Sequence, residues 1–195
     1  MNIIGEHARS DGRGFVPGSS LGLVNVSGIK AVLLTGVYGS GKSTVAKEMA
    51  YLLEQAGEPY ALLDLDYLSW GGAGEDDRAS EFALMLANLA AVAANYRRAG
   101  IPNFVLAYFV RTAAEVQAIE QALGGSVTVV RLIADLAVIQ QRLAADVTTG
   151  RGDDMRAAAA AIAADEGVGL EHVAISNNRP VTVIAREIMA DAGWV

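Results

Sequence analysis

Cysteine is absent from the 195-residue chain, so disulfide frameworks, thiolate-held zinc, iron–sulfur clusters and cysteine nucleophiles are excluded. Only two imidazoles are present, His7 and His172, too few for a histidine-rich metal site. Basic residues are outnumbered, 15 Lys and Arg against 22 Asp and Glu, for a net charge of −7. Binding nucleic acid by counterion release, or clinging to an anionic membrane, calls for the opposite balance, so neither partner is expected. No apolar run reaches the roughly 20 residues of a membrane helix. The longest, Phe82 to Ala94, is broken by Asn88. A charged-then-apolar leader is also missing from the N-terminus, and a cytoplasmic setting is the expectation.

What is present is apolar. Hydrophobic residues make up 52% of the chain and charged residues 19%, enough to bury the core of one domain. Residues 1–28 are rich in Gly and poor in large side chains, and are expected to form a mobile tail. From residue 29 onward, short apolar runs alternate with helical patterns. Strands are expected at Ala31–Thr35, Tyr60–Leu65, Asn103–Ala107, Val127–Ile133 and His172–Ser176. Helices are expected at Lys42–Ala56, from about Asp77 to Arg98, at Thr112–Leu123, Leu136–Ala145 and Met155–Ala164, and after Pro180. Strands separated by helices call for an α/β fold with a parallel sheet and right-handed crossovers.

One segment carries chemistry. Gly36-Val-Tyr-Gly-Ser-Gly-Lys-Ser43 fits G-x-x-x-x-G-K-[ST] in full, and it leaves a predicted strand to open a predicted helix. Glycines at Gly36, Gly39 and Gly41 allow the backbone to wrap closely around phosphate. The amides from Gly39 through Ser40 to Thr44 are expected to face the β-phosphate at the positive end of that helix. In this pattern Lys42 bridges the β- and γ-phosphates, and the Ser43 hydroxyl holds Mg²⁺. The GTPase base-reading motif N/T-K-x-D is absent, and no strand ends in Asp-Glu as in AAA and helicase machines. Mg-ATP is therefore the expected ligand. Asp64 and Asp66 leave the C-terminal edge of the second strand, where ligands bind in such sheets, and at least one is expected to act on them.

The P-loop with Asp64-Leu-Asp66, the strand ending Ala107-Tyr-Phe-Val-Arg111, and Asn177-Asn-Arg179-Pro180-Val181 together resemble the nucleoside-monophosphate-kinase-like small-molecule kinases. Adenylylsulfate, gluconate, shikimate and chloramphenicol kinases are the relatives in question. The resemblance spans about residues 30–193, and its specific part is the P-loop. It implies a three-layer P-loop fold with sheet order 2-3-1-4-5, and transfer of the γ-phosphoryl of ATP to a hydroxyl of a small-molecule acceptor. It makes Asp64 a base or Mg²⁺ partner and Asp66 a substrate contact, with the two roles exchangeable.

A lid over about residues 136–165 is implied by Gln141-Arg142-Leu143, with Asp146 standing where a second arginine is usual and Arg151 or Arg156 replacing it. Arg179 is implied to stack on the adenine, and Tyr67, Trp70 and the glycines after them to form an acceptor flap. An ATP-binding sensor without transfer, or a nucleoside or nucleotide kinase, is the alternative. Gly18-Ser-Ser-Leu-Gly22 matches a hydrolase elbow without its strand–turn–helix setting and is set aside.

Overall fold

The computed structural model describes residues 28–71, 77–145 and 151–194. Five strands, β1 (Lys30–Thr35), β2 (Tyr60–Asp64), β3 (Asn103–Ala107), β4 (Thr128–Ile133) and β5 (Val173–Ser176), form one sheet in the order β2-β3-β1-β4-β5. Every pairing is parallel, with Leu34 opposite Ala107 and Thr35 opposite Arg131 at the end that carries the P-loop. Among the described residues six α-helices surround the sheet: α1 (Lys42–Gln55), α2 (Arg78–Arg98), α3 (Ala113–Leu123), α4 (Leu136–Ala145), α5 (Arg151–Ala163) and α6 (Val181–Asp191).

Parallel strands are covered on both faces, which is why β1 and β3 are buried almost throughout. Alternation along β1 then feeds two separate cores. Leu33 joins Leu63, Phe104 and Leu106 beneath α2 and α3. Val32 and Leu34 join Val105, Val130 and Ile184 beneath α1 and α6. Each such buried side chain contributes about 1.5–3 kcal/mol over leaving it exposed. Ile139, Leu143 and Ala158 make a third, smaller core that seats α4 and α5 against Val37 of the P-loop. Because β1 lies between β3 and β4, the chain diverges to either side at its C-terminal end and leaves a crevice there.

Three local expectations need correction. The second strand stops at Asp64, and Leu65–Leu68 form a 3₁₀ turn that drops Leu65 into the core. His172 precedes β5 and is exposed; its Nδ1 accepts a hydrogen bond of 2.9 Å from the Val129 amide. Helix α5 starts at Arg151, four residues before Met155, so Asp153 and Asp154 occupy its first turn, where acidic side chains favour the helix dipole. The expected tail, but for Gly28, lies outside the described residues. Among the described residues no helix is long and apolar enough to cross a membrane.

Candidate active site

The loop between β1 and α1 takes its shape from backbone conformations that side chains resist. Gly36 sits at φ +135°, where a Cβ would lie 2.6 Å from the Leu132 carbonyl oxygen, and Gly41 sits at φ +98°, where one would lie 2.3 Å from Nδ2 of Asn177. Glycine at these positions lets the loop backbone pack this tightly, the conformation that close backbone approach to a phosphate requires. Lys42 is buried and donates to the carbonyls of Gly36 and Val37 at 2.8 and 3.3 Å, so it is held inside its own loop. Its ammonium also lies 5.5 Å from the centre of the Tyr38 ring.

Across the crevice, Ser43 Oγ donates to Asp64 Oδ2 at 2.7 Å. That bond joins the first turn of α1 to the end of β2, twenty-one residues apart in sequence. Asp66 stands on the 3₁₀ turn, and both carboxylates line one cleft with Lys42, Ser43 and Thr44, of about 930 Å³. Burial lowers the Lys42 ammonium below the ordinary lysine value, while Asp66 and Asp64 pull it upward. Loss of solvent raises the Asp66 carboxyl above the ordinary aspartate value; Lys42 opposes this and Asp64 adds to it. Asp66 is itself an exposed residue where it lines the cleft.

The arginines separate into different settings. Arg142 donates through Nη1 to the carbonyls of Gly39 and Ser40, at 3.3 and 3.2 Å, and through Nη2 to that of Asn177 at 2.8 Å. Asn177 itself donates to the Ser40 carbonyl at 2.6 Å. The P-loop is thus clamped by α4 and by the segment after β5, and Arg142 and Asn177 also line the cleft. Arg179 lines the cleft and pairs with Glu187 at 2.6 Å. Arg151 opens α5, and its side chain lies outside the described residues; Arg156 pairs with Asp153 on the exposed face of α5. Arg111 pairs with Glu166 at 2.9 Å and lies 4.6 Å from the centre of the Phe109 ring. Beside it Gly167, at φ +73°, packs so closely that a Cβ would meet the Val110 carbonyl at 2.6 Å.

A family model described as "AAA domain" matches residues 32–168. The chain belongs to that AAA domain family. None of its described strands, however, ends in the Asp-Glu that marks AAA machines. No curated protein matches it. Among solved structures it is similar to the adenylylsulfate (APS) kinase of Mycobacterium tuberculosis in complex with AMPPNP and APS, at 21% identity and a TM-score of 0.57, covering 86% of this chain and 99% of that one. It is similar to a gluconokinase from Sinorhizobium meliloti at 20% identity and a TM-score of 0.54, covering 84% and 91%. A shikimate kinase from Acinetobacter baumannii in complex with shikimate follows at 18% and 0.51, covering 83% and 91%. At such identities the likeness carries the fold, and the sheet order matches the one that the resemblance implied.

Several contributors to the site of this AAA domain protein escape sequence reasoning. Tyr38 lines the cleft with its hydroxyl raised above the ordinary tyrosine value, mainly by burial and then by Asp66. Asp154, in the first turn of α5, lines the same cleft. Glu166 is fifty-five residues from its partner Arg111. No local pattern marks any of these. Each depends on which loops the sheet brings together.

Proposed function

We propose that this protein is an ATP-dependent phosphotransferase that moves the γ-phosphoryl group of ATP to a hydroxyl of a small-molecule acceptor. The supporting observation is the Ser43–Asp64 hydrogen bond, with a second carboxylate, Asp66, in the cleft that holds Lys42. One carboxylate beside the P-loop serine serves Mg²⁺ in P-loop NTPases generally; the second, Asp66, is the group that transfer to an acceptor hydroxyl can use as a base. The glycine cradle fits a triphosphate, and Lys42 would exchange its two loop carbonyls for phosphate oxygens. Ser43 and Asp64 offer the hard oxygens that suit Mg²⁺, which needs only one or two protein ligands beside phosphate and water. When bound there, Mg²⁺ neutralises phosphate charge.

Asp66, or Asp64 in exchange, accepts the acceptor's hydroxyl proton as the acceptor oxygen forms its bond to the γ-phosphorus. The bond from that phosphorus to the β–γ bridging oxygen breaks, and its electron pair leaves with ADP. Lys42 and the loop amides steady the charge on the transferring group, so catalysis rests on positioning and electrostatics. Arg179 supplies a planar cation for the adenine, and Arg151 a cation at the head of α5. The acidic chain suits a cytoplasmic enzyme without nucleic-acid or membrane partners.

One observation favours a second reading. Arg142 is committed to three backbone carbonyls rather than directed at the phosphates, as an ATP-binding sensor would allow. Incubation with Mg-ATP and pooled hydroxyl metabolites separates the two readings. A metabolite that gains one phosphate, and loses that gain with Lys42→Ala and with Asp64→Ala, establishes the kinase. Saturable ATP binding without any phosphorylated product gives the sensor.

A further inference from the structure

The turn after β2 carries the two most exposed large apolar side chains among the described residues. Trp70 is 79% and Tyr67 65% open to solvent, yet their rings stack with centroids 5.3 Å apart and planes 22° from parallel. Neither ring belongs to any of the three cores. Aromatic side chains normally bury 150–250 Å² each, so a stacked pair left in water forgoes a large gain that the fold does not recover elsewhere. Both rings line the cleft that holds Lys42, Asp64 and Asp66. Each fixes the other, which leaves a flat aromatic face at the mouth of the site.

The charges alongside narrow what that face can take. A recess of about 220 Å³ opens next to Asp66, with Arg78, Arg111 and Glu81 in its wall. Both arginines are already matched, Arg78 by Glu115 at 2.5 Å and Arg111 by Glu166 at 2.9 Å. Lys42 is turned inward onto its own loop. A phosphate or carboxylate entering this recess would find both of its arginines already paired, and would meet the carboxylates of Asp66 and Glu81.

We propose that Tyr67 and Trp70 are the binding platform for the phosphoryl acceptor, and that this acceptor is a hydroxyl compound bearing a planar ring and no anionic group. The inference rests on the phosphotransfer reading above and names its substrate class. Ring stacking on the open face would leave the acceptor's hydroxyl to reach Asp66, three residues before Ser69 on the same turn.

The chain has two tryptophans, so in the full-length Trp194→Phe protein the fluorescence reports Trp70 alone. Three sets of probes are titrated with Mg-ATP present: uridine, thymidine and hydroxybenzyl alcohol; the monophosphates of the two nucleosides; and sorbitol and xylitol. Quenching of Trp70 and ADP formation are read together. The expected result is quenching and ADP release with the uncharged ring alcohols alone. In the otherwise native protein, Trp70→Ala should then raise KM by about ten-fold to a hundred-fold, the usual loss when a stacked base loses its aromatic partner, with a smaller change in kcat. Trp70→Phe should recover most of that loss. Turnover of the saturated polyols or the monophosphates would overturn the substrate class while leaving the kinase intact. Absence of quenching by any ring alcohol, or a KM unmoved by Trp70→Ala, would overturn the platform. Ring quenching without ADP from any probe would instead sink phosphotransfer and leave a ring-binding site standing.

Discussion

The cleft has two halves built by different means. On the P-loop side the working groups are mostly backbone, shaped by glycines in conformations that would force a side chain into Leu132 or Asn177. On the acceptor side they are side chains from β2, the turn behind it, α2 and the end of β3, tied by ion pairs such as Arg78–Glu115 and Arg111–Glu166. A cradle of amides tolerates little change because it is a conformation. A wall of side chains can be re-equipped one residue at a time, so the first half fits a common ligand and the second a particular one.

The sharpest test of that contrast is Lys42→Ala. Removing the ammonium should lower single-turnover phosphoryl transfer by about 10²–10³-fold, the range for losing one charge-stabilising donor. Asp66→Asn comes next, with a rate loss of about 10²–10⁴-fold if Asp66 accepts the proton. Its pH behaviour is the distinguishing mark. Burial holds the Asp66 carboxyl above its ordinary value, so the folded protein binds this proton more tightly than the unfolded chain does. As pH rises from the unfolded value through the raised folded one, the rate should climb while this group's contribution to stability falls. The Asp66→Asn substitution should abolish both trends, which rate profiles and chemical denaturation across that range would show.

Arg142→Ala probes the clamp on the loop. Loss of three donated hydrogen bonds from a half-buried guanidinium should cost about 1–3 kcal/mol in denaturant unfolding and loosen nucleotide binding as well. Smallest of the four is Arg111→Gln. Its pair with Glu166 is open to water on both sides, so the stability loss should stay below about 1 kcal/mol. If Arg111→Gln proved as damaging to stability as Arg142→Ala, the two halves would not differ as described.

The same contrast explains what the sequence reveals. A P-loop is legible because its residues act locally: Gly41 adopts a positive φ at the helix N-cap, and Lys42 and Ser43 open the helix. The β-α alternation is legible for a similar reason, since buried strands need continuous apolar runs and α3 announces itself with Thr112 at its start and Gly124 at its end. Leu65 shows the limit. Its apolar character extends the strand pattern, but burial in the core is compatible with a 3₁₀ turn as well as with a strand, and the turn is what the chain adopts. Arg142 shows another. Its presence suggests a lid, yet its partners lie more than a hundred residues upstream and thirty-five downstream, and nothing near it in sequence names them.

Helices α4 and α5 touch both halves of the cleft. At one end Ile139, Leu143 and Arg142 bear on Gly39 and its neighbours; at the other, Glu166 and Gly167, just past α5, bear on Arg111 and Val110. The pair, with the segment that follows α5, thus connects the two halves. Were both halves filled, as the proposed transfer requires, any effect of one ligand on the affinity for the other would by linkage be the same factor in both directions. In the proposed reaction the order of arrival of ATP and acceptor would then leave the total free energy of binding both unchanged.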